Sequence, residues 1–142
     1  MSEHPARRAG QLSQVYVSEG RRDEWLDLFA EDAVMQDPIG VSPLDPTGKG
    51  HVGKEAIAAF YDAVISKVKV SFDYPRSYAC GDECAFVGTV YTAVGDQENA
   101  SEGVFVYRVN EAGKLRSLRA YWEHARPVWE GSEPPPVGRE RA

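Results

Sequence analysis

One acid stands among residues that would normally bury themselves. In AVMQDPIG (residues 33–40), Ala33, Val34 and Met35 read as the start of a buried strand, and Asp37 follows with Pro38 behind it. Two roles fit. Asp-Pro opens turns, and DPIG reads as one. A carboxylate kept partly dry is instead a stronger proton acceptor, because desolvation disfavours its charge, and it can act as a general base.

The other candidate groups carry less chemistry. Cys80 and Cys84, in YACGDECAF, have C-x3-C spacing, but His4, His51 and His124 are scattered and supply no second ligand pair. The cysteines read as two small apolar residues beside a strand turn, both reduced. GKGHVGKE (48–55) nearly spells a phosphate loop, yet Glu55 occupies the position where Ser or Thr must hold Mg²⁺, and a proline-rich loop precedes it instead of a buried strand. Lys54 and Glu55 are better read as the first turn of a helix, and His51 as a solvent-exposed loop residue near the mouth of any cavity. There is no Ser-His-Asp order, no dinucleotide-binding glycine pattern and no metal-ligand spacing, so neither a metal nor another cofactor is expected.

The elements that must position Asp37 follow from periodicity. Residues 1–8 read as a loose lead, and helices are expected at about 9–19 and 22–30, the first ended by Gly20. The short strand carrying Asp37 comes next, then a Gly- and Pro-rich loop over 38–53 that is long enough to suggest function, such as a lid. The third helix is the clearest: Ile57, Phe60, Tyr61, Val64 and Ile65 share one face. From Lys67 the period changes to two, with Val68, Val70, Phe72 and Tyr74 on one side of a half-buried strand. Three more strands are expected at about 85–94, 103–110 and 114–124, separated by turns at 81–83, 95–99 and 110–113. Residues 127–142, rich in proline and charge, form a tail after a single domain at 1–126. Helices followed by a strand meander indicate an α+β fold.

With 142 residues, 42% of them hydrophobic, the chain is long and apolar enough for one domain with a real core. Its net charge of −6 makes nucleic acid an unfavourable partner. No segment is apolar enough to span a membrane, and MSEHPARRAG lacks the apolar core of a signal peptide, so a cytoplasmic protein is expected.

Three stretches, LFAEDAVMQDPIG (28–40), GKEAIAAFYDAV (53–64) and YRVNEAGKLRSLRAYW (107–122), occur in an order and spacing that resembles the ketosteroid isomerase-like branch of the NTF2-like (SnoaL-like) superfamily, over about residues 10–124. The loop and tail are similar to actinobacterial members. The resemblance implies three N-terminal helices packed on a strongly curved mixed or antiparallel sheet, a cone enclosing an apolar cavity. It also implies Asp37 as the general base that shuttles a proton between C4 and C6 of a Δ5-3-ketosteroid. The family's two oxyanion donors, a Tyr and a protonated Asp, fall on Ser13 and Phe105, so both donors are replaced.

Strand parity offers substitutes. Tyr107 shares a face with Phe105, and Trp122 shares one with Leu118 and Ala120. Tyr61 matches a tyrosine of the family's active-site network. Tyr107, Tyr61 and Trp122 read equally as core packing. Phe60, Phe105, Leu118 and Ser13 complete the expected lining. The partner implied is a small steroid-like hydrophobe. The resemblance also implies a homodimer through the outer sheet face, where Val104, Val106 and Tyr121 are expected. Three functions fit: a proton-shuttling isomerase or related lyase or cyclase, a binder of steroid-like hydrophobes without turnover, or a module that only dimerises.

Overall fold

In the computed structural model, which describes residues 3–123, the elements run α1 (Pro5–Ser18), α2 (Arg22–Asp27), β1 (Phe29–Gln36), β2 (His51–Val52), α3 (Lys54–Ala63), a 3₁₀ turn (Ile65–Lys67), β3 (Lys69–Cys80), β4 (Glu83–Val94), β5 (Gln97–Val109) and β6 (Leu115–Tyr121). The expected tail at 127–142 lies outside the described residues, as does His124.

α1 begins earlier than expected. Pro5 sits in its first turn, where a missing N–H leaves nothing unpaired, and His4 Nδ1 accepts the Ala6 N–H at 3.1 Å. Residues 5–8 are therefore helix, not a loose lead, and Ala6 is fully buried. The buried face of α1 carries Ala6, Ala9, Gly10 and Ser13, small residues that let it lie close on β3, β4 and β5.

α2 ends three residues short of expectation. Phe29 pairs with Leu115 in parallel β-structure, and the Leu115 N–H donates to Leu28 O at 2.7 Å. This long-range pairing captures Phe29 and Ala30 for β1 against their local helical pattern. β3 likewise runs past Tyr74. Pro75 is tolerated because β3 is an edge strand with a register shift between Asp73 and Arg76.

The sheet order is β2-β1-β6-β5-β4-β3. β3 to β6 form the antiparallel meander, β1 lies parallel to β6, and β2 folds back antiparallel on β1, with Met35 opposite His51. The sheet is mixed and open, its edges being β2 and β3. Gly88 and Gly103 face each other across β4 and β5. A Cβ on Gly88 would stand 2.1 Å from Asp73 O, and one on Gly103 would stand 2.1 Å from Tyr121 O, so neither position accepts a side chain. Trp25, Phe29, Ile57, Leu115 and Cys84 anchor the core between helices and sheet. Cys80 is exposed, and both cysteines are free thiols. Among the described residues no helix is long and apolar enough to cross a membrane.

Candidate functional site

Asp37 leaves β1 on the side that Met35 faces, since alternate residues of an extended chain share a face. The Asp37–Pro38 peptide is cis, and the chain beyond it is tied down by the Ile39 N–H, which donates to Ala120 O at 3.0 Å. Trp122, just past β6, donates its indole Nε1–H to Asp37 Oδ1 at 2.6 Å. This short bond fixes the carboxyl on the wall of a cavity of about 250 Å³ between helices and sheet.

Ser13, Phe60, Phe105, Tyr107, Leu118 and Trp122 line that cavity with Asp37. Tyr61 does not. It is buried and tilted against Trp25 at 5.3 Å between ring centres, so its expected place in the lining is taken by Trp25. Ser13 is nearly inaccessible, and its Oγ accepts the Trp25 Nε1–H at 3.0 Å. A hydroxyl oxygen that accepts still has its own proton to donate.

Burial pushes the Asp37 carboxyl above the usual carboxylate range, against the opposing pull of the Trp122 hydrogen bond and of His51 nearby. By surface Asp37 is only half-buried, because the area it keeps lies at the cavity it lines. Burial also raises the Tyr107 and Tyr74 hydroxyls, and the charge of Asp37 adds to both. Both phenols therefore stay protonated, as hydrogen-bond donors, at any ordinary pH.

Sequence reasoning missed part of the site. Tyr74 lines the cavity and stacks on Phe105 at 4.9 Å. Its parity with Val70 and Phe72 was the available signal. Thr92 and Ser101 also line the cavity. Ser101 was hidden because β5 starts at Gln97, within polar residues that read as turn and linker.

His51 is not the solvent-exposed loop residue expected. It sits in β2, its ring lies 4.3 Å from that of Phe60, and its Nε2 is buried without a hydrogen-bond partner among the described residues. The loop before it is held by Asp45, whose carboxylate accepts from Thr47 Oγ1 at 2.9 Å and from the Gly50 N–H at 2.8 Å. Among the described residues no three His, Cys, Asp or Glu side chains cluster as metal ligands.

The chain matches the SnoaL-like domain over residues 13–118. It is 33% identical over 95 residues to the steroid Delta-isomerase of Nocardioides simplex, spanning 67% of this chain and 71% of that protein. RV0760c from Mycobacterium tuberculosis superposes with a TM-score of 0.84 at 36% identity, over 87% of this chain and 95% of that one. The same protein is also known in complex with estradiol-17beta-hemisuccinate. The Delta 5-3-ketosteroid isomerase of a Mycobacterium species superposes with a TM-score of 0.81 at 35% identity, over 85% of this chain and 95% of that one. A single acid on the wall of an apolar cavity, an open mixed sheet under three helices, and these relatives together identify the chain as a member of the ketosteroid isomerase-like branch of the SnoaL-like (NTF2-like) superfamily.

Proposed function

We propose that this protein isomerises a steroid or similar polycyclic β,γ-unsaturated ketone by intramolecular proton transfer, with Asp37 as the base. The observation that carries the reading is the Asp37 carboxyl: desolvated, raised in proton affinity, and oriented at a cavity wall by Trp122. The carboxylate takes a proton from the carbon between the carbonyl and the alkene. Electrons shift onto the carbonyl oxygen to give a dienolate. The protonated Asp37 then returns the same proton two carbons further along, leaving a conjugated ketone and a free carboxylate. Tyr107 is the donor for the dienolate oxygen, standing in for the family donors replaced by Ser13 and Phe105. No bound cofactor enters this sequence of proton transfers.

The relatives named as steroid isomerases support the reaction, and the one known with a bound steroid ester supports the ligand class. The reading includes a homodimer through the outer sheet face, where Val104 and Tyr121 are exposed.

The experiment is isomerisation of a Δ5-3-ketosteroid, followed by the ultraviolet absorbance of the conjugated product, with Asp37→Asn run beside the wild type. Turnover in the wild type alone, with binding kept in the variant, is the expected result. No turnover in either, with steroid still bound, favours the second reading. That reading is a binding protein in the same cavity, and the two replaced oxyanion donors speak for it.

A further inference from the structure

Most hydrogen-bond donors beside Asp37 are already spent on the protein. Trp25 donates to Ser13, Trp122 donates to Asp37, and Ser13 bonds Tyr107. An indole N–H can only donate, so Ser13 Oγ accepts from Trp25 and gives its own proton to the Tyr107 oxygen. Gln14 reaches the same hydroxyl from α1. A phenol has one proton, so Tyr107 can supply one hydrogen bond to a ligand oxygen and no more.

Tyr74 enters the cavity from β3. Its ring stacks on Phe105 at 4.9 Å and tilts against Phe86 at 5.9 Å, and Tyr107 meets the same Phe86 ring edge-on at 5.3 Å. The two phenols therefore share a ring neighbour, and they line one cavity with Asp37, whose charge bears on both hydroxyls. The Tyr74 hydroxyl has no hydrogen-bond partner among the described residues, and burial is the largest influence on it.

Stacking alone needs no hydroxyl: Phe72, two residues earlier on the same face, lines the cavity and packs edge-on against Tyr74 without one. A desolvated hydroxyl that gains no partner costs free energy, so its presence on this wall points to a ligand atom. We propose that Tyr74 is a second catalytic donor, its O–H converging with that of Tyr107 on the carbonyl oxygen of the bound ketone, which becomes the dienolate oxygen and has a lone pair for each. The inference rests on the reading of this cavity as an isomerase site. Neither phenol gives up its proton. Each hydrogen bond strengthens as charge arrives on the oxygen, and so stabilises the dienolate more than the ketone. The donors come from β3 and β5, with β4 between them, so together they fix the ketone from two directions while Asp37 works on the neighbouring carbon.

The test uses Tyr74→Phe, which removes one oxygen and keeps the stacked ring, with Tyr107→Phe beside it. In Tyr74→Phe, kcat for a Δ5-3-ketosteroid is expected to fall about a hundredfold or more with KM changed little, since the lost bond is strongest in the transition state. Equilibrium binding of a steroid with a phenolic A ring, whose oxygen stands in for the dienolate oxygen, is compared with that of its 3-deoxy analogue. The preference of the wild type for the phenol should drop about three- to tenfold in Tyr74→Phe, the worth of one ordinary hydrogen bond. Affinity for the 3-deoxy probe should be kept, which also reports that the variant is folded. An unchanged kcat and preference in Tyr74→Phe overturn the proposal, and a loss confined to Tyr107→Phe leaves the isomerase reading standing on one donor. Equal weakening of both probes marks a structural role and overturns the proposal too. A wild type that turns over no ketone overturns both the proposal and the reading beneath it.

Discussion

Replacing Trp122 with phenylalanine removes one hydrogen-bond donor from Asp37 and keeps a ring in its place. The indole N–H lies 2.6 Å from Asp37 Oδ1 and stabilises the ionised carboxyl, opposing the effect of burial. A hydrogen bond to a charged group is worth about 1.5–3 kcal/mol net. Trp122 is half-buried, so the lower part of that range applies. With about 1.4 kcal/mol per tenfold change in an equilibrium constant, the proton affinity of Asp37 in Trp122→Phe should rise by about tenfold or somewhat more. The sign follows from the charge: the lost donor favoured the carboxylate, so a carboxyl already raised by burial moves higher still. The carboxyl carbon resonance of Asp37, titrated by NMR in both proteins, reads this directly. A base-catalysed reaction would show it as an acid limb displaced to higher pH. A midpoint in the variant equal to or below that of the wild type would refute the assignment of Trp122 as the group that restrains the Asp37 proton.

Three further outcomes are expected. Asp37→Asn should be more stable than the wild type at pH 7. Folding raises the proton affinity of Asp37, so stability falls as pH rises from the unfolded value near about 3.9 through the folded one, and asparagine escapes that loss. Thermal melts at pH 7 and pH 3 check this, and a gain that persists unchanged at pH 3 contradicts it. Ser13→Ala should cost about 1–3 kcal/mol in urea denaturation, because the buried Trp25 indole N–H loses its acceptor. A cost near zero would mean that the indole finds another partner. Gly88→Ala and Gly103→Ala should each lower stability by about 1–3 kcal/mol or more, since each new Cβ meets a backbone oxygen that must move, and melting temperatures equal to that of the wild type would contradict this.

Elements whose faces are set by local periodicity were legible. The apolar face of α3 follows from its periodicity, and strand parity, with its inward side fixed by the family resemblance, put Phe105, Tyr107, Leu118 and Trp122 together as lining residues, and all four line the cavity. What failed was set by distant pairing. Phe29 joined β1 because Leu115, far along the chain, offered it a partner. His51 left the loop because Met35 did the same. The polar first half of β5 carries no apolar alternation, so nothing local marked Ser101 as facing inward. Trp25 lines the cavity and Tyr61 does not, which helix periodicity could not foresee, because it tells which face is buried and not whether a core or a cavity lies beyond it.

The paired glycines of β4 and β5 have a consequence for how this site varies. Gly88 abuts the backbone of Asp73 and Tyr74, and Gly103 abuts the backbone of Tyr121 and the Cβ of Trp122. Two residues outside the cavity lining therefore act as spacers, setting how near Tyr74 on one edge of the cavity can come to Trp122 on the other. Side chains in the lining can be exchanged to suit a new molecule while this gauge is left alone. A change at either glycine would instead re-space the phenol and the indole together, altering the breadth of the chamber and the aim of the acid in a single step. The lining thus sets what the chamber can hold, whereas two glycines outside it set the breadth of the chamber and the aim of its acid together.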